Sequence, residues 1–181
     1  MTNDIASELA KLKLLRGSDF VGQLKLIAAR REFHPLECNP CIYSVGGEGD
    51  ADFQNLLNAA LKLVEHGYRV YLLPNPLGFR TADFIIERRG IFKLFDLKTI
   101  SGRAIAGSRL IESIGQSNRV LLNMTIEYNT RLLAADIRMY FETYPEALEV
   151  MILKGKKIIS IDRSDAFHTQ YFGLFKKRYE K

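Results

Sequence analysis

Apolar residues recur along this chain at two different spacings, and the alternation between them sets out an α/β protein. Near the start, Ile5, Leu9, Leu12 and Leu15 return every three or four positions, which predicts a short amphipathic helix over 4–16. Val21, Leu24, Ile27 and Ala28 repeat that pattern behind Ser18 as a cap and give a second helix. From His34 to Asp50 the periodicity lapses, and Pro35, Pro40, Gly46, Gly47 and Gly49 mark a connector. Phe53, Leu56, Leu57, Ala60, Leu63 and Val64 then form one stripe of a helix over 51–66, capped at its end by His66 and stopped by Gly67.

Past that helix the period shortens to two. Residues 68–73 read as a strand, P-N-P-L-G turns the chain, and 82–87 read as a second strand. Arg88, Arg89 and Gly90 make a tight turn into a third strand over 91–99. A helix over 108–117, an apolar strand over 119–124 and a helix over 128–144, stopped by Pro145, follow. A hairpin of 149–153 and 156–161 comes next, and Ser164 is placed as the cap of a last helix ending in the basic tail K-K-R-Y-E-K. Elements in this order predict a mixed central sheet flanked by helices. Residues 1–48 read as a helical extension and connector, and 49–181 as the main domain.

Composition narrows the picture. A chain of 181 residues that is 47% hydrophobic can bury one proper core. Lys and Arg outnumber Asp and Glu by 26 to 21, a net charge of +5 that permits a polyanionic partner without establishing one. The first residues lack the apolar run of a secretory signal, and no stretch is long enough for a membrane span, so a soluble, cytoplasmic chain is expected. The initial Met1 suggests an independent product. Cys38 and Cys41 stand as C-N-P-C. A zinc site would need His34 and a distant histidine as well, and Pro35 and Pro40 put the pair in a loop, unlike a thioredoxin-type motif. They read as incidental cysteines of a reducing compartment, with a redox or zinc protein as the remote alternative.

The chemistry concentrates in the third strand. Side chains alternate along a strand, so Asp96 and Lys98 share a face, with Phe95 and Leu97 opposite. Asp83 opens the preceding strand, from which its carboxylate reaches Asp96 if the register permits. Two carboxylates offer hard oxygen ligands to a divalent ion, and a lysine beside them can position water and steady phosphate charge. The plain alternative is a solvated Asp and Lys on the wet face of an edge strand.

These residues resemble the PD-(D/E)xK nuclease superfamily, and within it the C-terminal toxin domains of contact-dependent growth inhibition (CdiA-type) proteins that cleave tRNA. The likeness runs through E-H-G-Y-R-V, L-P-N-P, T-A-D-F-I-I-E, F-D-L-K-T, Q-S-N-R-V-L-L-N and K-G-K-K-I-I-S-I. It implies a restriction-endonuclease-like core and a metal-dependent endonuclease acting on RNA, with tRNA ahead of DNA. It also implies Mg²⁺ (or Mn²⁺ or Zn²⁺) as cofactor, an immunity protein as partner, and action in a target-cell cytoplasm if the chain is delivered. By that likeness Asp83 and Asp96 would be metal ligands, Lys98 the catalytic lysine, and Gln116 the polar residue on the helix after the core hairpin. Two positions depart from the family. Ala82 precedes Asp83 where the motif has proline, and the first core helix reads F-Q-N-L-L-N-A-A without the usual glutamate. Gln54, Asn55 or Asn58 stands in its place, or Asp52 one turn earlier serves as the third metal ligand. If none does, the alternative is a catalytically degenerate nucleic-acid-binding or interaction module of the same fold.

Candidate phosphate contacts are Arg80, Thr99, Ser101, Arg103 and Arg119, with Arg109 nearby. In the tail, Lys176, Lys177 and Arg178 beside Tyr171, Phe172 and Phe175 either grip RNA or let the aromatics pack the last helix down.

Overall fold

The computed structural model describes residues 2–74 and 81–181, so most of the P-N-P-L-G turn, and Arg80 with it, lies outside the described residues. Eight strands follow one another in chain order in a mixed sheet. The chain divides into two compact units, one running to Phe95 and one from Asp96 onward. Among the described residues no helix is long and apolar enough to cross a membrane.

The first unit opens with α1 (Thr2–Leu12) and α2 (Gly17–Ala28). Ile5, Leu9 and Leu12 of α1 and Leu24 and Ile27 of α2 are buried in one cluster with Tyr71, Leu73, Ile85 and Leu94. Arg30 closes the helix pair by holding Glu8 and Glu32, each at 2.6 Å. In α2, a Cβ added to Gly22 would meet nothing within 4 Å. Gly22→Ala should therefore stabilise the protein by about 0.5–1 kcal/mol through helix propensity alone, read as a shifted urea midpoint at unchanged slope.

The stretch expected to be a plain connector instead contains β1 (His34–Leu36) and β2 (Asn39–Ser44), an antiparallel hairpin. The prolines misled because both stand where the ladder tolerates them. Pro35 is on a terminal strand, and β2 pairs with the next strand only at Ile42 and Tyr43, beyond Pro40. From β2 the chain crosses through α3 (Phe53–Glu65), ended by His66 as expected, into the parallel strand β3 (Arg69–Leu72). β4 (Phe84–Arg88) and β5 (Ile91–Ile100) follow as the expected hairpin. Its two-residue loop has φ of 53° at Arg89 and 78° at Gly90, the left-handed pair whose twist matches the strands. The Gly90 amide also donates to the Glu87 carboxylate at 2.6 Å.

The second unit takes up the later part of β5 and adds α4 (Ala106–Glu112), β6 (Arg119–Met124) and α5 (Thr130–Thr143). It ends with β7 (Glu149–Lys154), β8 (Lys157–Asp162), α6 (Arg163–Phe167) and α7 (Tyr171–Glu180). β5, β6 and β7 run parallel and β8 returns antiparallel. Ile100, Val120, Leu122, Val150 and Ile152 share one buried cluster with Leu110 of α4, Ile137 and Phe141 of α5, and Tyr171, Phe175 and Tyr179 of α7.

The end of the chain differs from expectation in two ways. It forms two helices, because backbone regularity lapses between Phe167 and Tyr171, and the first is capped by Asp162 and not by Ser164. Asp162 accepts from the Asp165 amide at 2.8 Å while the Asp165 carboxylate accepts from the Asp162 amide at 3.4 Å. Ser164 instead donates its hydroxyl to Asp162 at 2.7 Å. That bond and the Asp165 amide hold the Asp162 carboxyl below its ordinary pKa. A depressed folded-state pKa contributes stability above the unfolded value that is lost as pH falls through the folded one. Asp162→Ala should thus cost about 1 kcal/mol at neutral pH, a difference that closes in acid when the two melts are compared.

Candidate active site

The geometry begins with the register of β4 and β5, where Phe84 pairs with Phe95. Asp83 lies in the bend just before β4, half-buried, with its amide donating to the Phe95 carbonyl at 3.0 Å and its carbonyl accepting from Leu73 at 2.9 Å. The expectation that Asp83 opens the strand is therefore met one residue short, with its backbone pinned on both sides.

In the second unit, Asp96 pairs with Val120 and Lys98 with Leu122 along the parallel ladder. Partners in register point the same way, so Asp96 and Lys98 stand on the face that carries Val120, Leu122 and Ile100 into the helix-covered core. Asp96 is 1% exposed, and the Lys98 ammonium, on a side chain 15% exposed, lies 2.9 Å from its carboxylate. The wet strand face is thereby corrected: β5 is an interior strand and the acid is buried.

Two residues not picked out from the sequence stand in this neighbourhood. Tyr140 of α5 is buried, and burial above all pushes its hydroxyl up to about 12, with the nearby Ser113 hydroxyl opposing and the charges of Tyr144 and Asp96 adding to the rise. Ser113 donates its hydroxyl to the Leu110 carbonyl at 2.6 Å, while the buried Tyr140 hydroxyl has no hydrogen-bond partner among the described residues. Both were hidden from sequence reasoning, Tyr140 as one more member of an apolar helix stripe and Ser113 as an ordinary helix-end serine.

The other candidates scatter. Asp52 is the exposed N-cap of α3 and makes no capping bond, and the first turn of that helix has no acid. Gln116 is not on a helix, since α4 stops at Glu112 and the chain turns through Gly115 at φ 86°; its amide donates back to the Glu112 carbonyl at 2.9 Å. Thr99 alternates to the face opposite Asp96 and Lys98, while Ser101 and Arg103 are exposed in the turn after β5. Arg109 pairs with Glu112 at 2.9 Å. Arg119 is held 3.4 Å from Glu149, a carboxylate only 6% exposed that also accepts from Ser160 at 2.5 Å. Burial pulls the Arg119 guanidinium below its usual pKa, against the charge of Glu149. Cys38 and Cys41 are exposed free thiols.

Among the described residues no three His, Cys, Asp or Glu side chains gather closely enough to hold a metal ion. A closed cage of the structural-zinc kind does not fit this donor set. A buried carboxylate fits in kind an ion that takes hard oxygen ligands and keeps several of its own waters, the habit of Mg²⁺.

No family model matches the chain, and no curated protein matches it in sequence. Among solved structures it is similar to a CdiA-CT/CdiI toxin and immunity complex from Burkholderia pseudomallei, at 20% identity and a TM-score of 0.42, covering 71% of this chain and 96% of that one. At that level of likeness the residues themselves have to carry the functional reading.

Proposed function

We propose that this chain is a metal-dependent endonuclease that hydrolyses phosphodiester bonds in RNA, tRNA ahead of DNA, with Asp96 and Lys98 as its acid and its lysine. The observation that carries the reading is the ion pair of Asp96 and Lys98 on an interior strand. Burying opposite charges costs desolvation that their attraction only partly offsets, so such a pair is a poor device for stability and a good marker of a site. In the same proposal the run from α3 through β6 is the core of the PD-(D/E)xK superfamily, and Asp83 is the second acid. The preference for tRNA, and an immunity protein as partner, rest on the motif resemblance alone.

Mg²⁺, when bound, supplies Lewis acidity at the phosphate and a more acidic water. Asp96 would hold it, with Asp83 as the further oxygen donor. Lys98 offsets the charge of the bound phosphodiester and directs the nucleophilic water through its ammonium protons. Tyr140 keeps its proton at neutral pH and acts as a neutral donor in the floor of the site, not as an acid or base.

A second reading is favoured by a specific observation. Lys98 already neutralises Asp96, α3 brings no acid in its first turn, and no group of three ligands forms among the described residues. A chain so built would bind nucleic acid without cutting it. Total tRNA and plasmid DNA, each incubated with Mg²⁺, Mn²⁺, Zn²⁺ or chelator, separate the two. The nuclease predicts cleavage of tRNA that chelator stops and that Asp83→Asn greatly slows; salt-sensitive binding with no turnover in any metal establishes the second reading instead.

A further inference from the structure

α7 buries Tyr171, Phe175 and Tyr179 at helical spacing, which turns Phe172, Lys176 and Glu180 onto the next face outward. That face and the start of α5 border a groove of about 670 Å³, whose lining includes Tyr128, Arg131, Phe172, Gly173, Lys176 and Glu180. It has an aromatic wall and a cationic rim. Phe172 is 41% exposed, an aromatic left in solvent beside the buried Tyr171. Glu180, the carboxylate of the lining, is occupied by the Thr130 hydroxyl at 2.9 Å and lies 3.9 Å from Lys176.

Beyond the groove the positive charge continues. The ammonium groups of Lys154 and Lys157 approach the Tyr179 carbonyl at 3.5 Å, which brings the β7–β8 hairpin, with its K-G-K-K turn, to the basic end of α7. Lys154 is itself held, 3.9 Å from the centre of the Tyr179 ring and 3.2 Å from the Glu127 carboxylate, which leaves Lys156 as the exposed lysine of the hairpin turn. The sequence offered the basic hairpin and the basic tail as separate features; the fold joins them. At the floor of the groove, a Cβ added to Gly173 would meet nothing within 4 Å, so a glycine that weakens the helix leaves the channel open.

We propose that this groove is a binding track for a single-stranded stretch of nucleic acid, its bases against Phe172 and Tyr128 and its phosphates along Arg131, Lys176 and Lys156 of the hairpin. Cations beside the exposed Phe172 ring and the partly buried Tyr128 in one channel match a chain that alternates anionic phosphates with flat bases, whereas an acidic peptide would use only the charge. Arg119, the buried candidate for phosphate contact, is committed to Glu149, so the polyanion surface lies elsewhere. The track goes beyond the proposed catalytic pair and stands whether or not that pair cuts.

Fluorescence anisotropy of a labelled oligouridine of about ten nucleotides, with the full chain in chelator, tests it. The parent should bind with an affinity that falls with salt. Arg131→Gln and Lys176→Gln should each flatten the logarithmic salt slope by about 0.7. Phe172→Ala should weaken binding about fivefold or more, and Gly173→Gln should weaken it by filling the channel while raising helix propensity. Arg138→Gln removes an equal charge from α5 outside the groove lining and should leave affinity unchanged. Because chelator stops any metal-dependent cleavage, binding is read here by itself, and loss of the track is told apart from loss of the catalytic pair. No binding by the parent, groove variants that bind like it, or polyglutamate competing as well as the oligonucleotide would each overturn the proposal.

Discussion

Asp96→Asn should lower tRNA cleavage by more than about a hundredfold and also lower stability, and the two effects should come apart when Lys98 is replaced as well. The single variant leaves the Lys98 ammonium beside an uncharged partner. Breaking a fully buried pair costs about 3–5 kcal/mol, but Lys98 keeps some contact with water, so about 2–3 kcal/mol is expected here. Adding Lys98→Met removes the stranded charge and should recover most of that loss in urea melts. It cannot recover cleavage, because both groups assigned to the chemistry are then gone. Normal cleavage by the single variant would remove Asp96 from the site. A single variant as stable as the parent would mean that the ion pair is not closed in solution.

The second large effect is expected at Arg119, and it is structural. Arg119→Ala takes the guanidinium away from the buried Glu149 carboxylate, which should cost about 3 kcal/mol. Pairing it with Glu149→Gln removes the uncompensated charge and should restore much of the loss. The double variant should then bind oligonucleotide as the parent does. A double variant that is stable but binds more weakly, with a flatter salt slope, would return Arg119 to the phosphate contacts expected from the sequence.

The differing fates of Asp96 and Arg119 show what was legible. β6 was read to the residue, because an apolar run between an arginine and a turn admits one interpretation. The β4–β5 hairpin was legible because Arg89-Gly90 fixes its loop, and the hairpin placed Asp96 and Lys98 on one face. Which face that was could not be read, since burial depends on helices that pack from distant parts of the chain. β1 and β2 were missed because proline signals a break wherever it falls, and only pairing shows that Pro35 and Pro40 stand at positions where none is needed. Gln116 was drawn onto a helix by the apolar spacing around it, while Gly115 adopts a left-handed conformation that ends regular structure first. Tyr140 carries no local signal, because its nearness to Asp96 arises only from the fold.

The shared cluster of Ile100 and Tyr179 has a bearing on timing. Roughly 80 residues separate them, about 4–16 s of synthesis at cellular rates of 5–20 residues per second. Throughout that interval the cluster that holds Val120, Leu122 and Val150 lacks the aromatic side chains that α7 adds to it in the finished unit. The nascent strands are thus exposed to self-association, and a holdase would have most to grip there. The same delay means that the core beside Asp96 and Lys98 closes only once the last helix has been made. If the pair cuts RNA, a chain still on the ribosome, itself surrounded by tRNA, is held back from cutting by its own incompleteness.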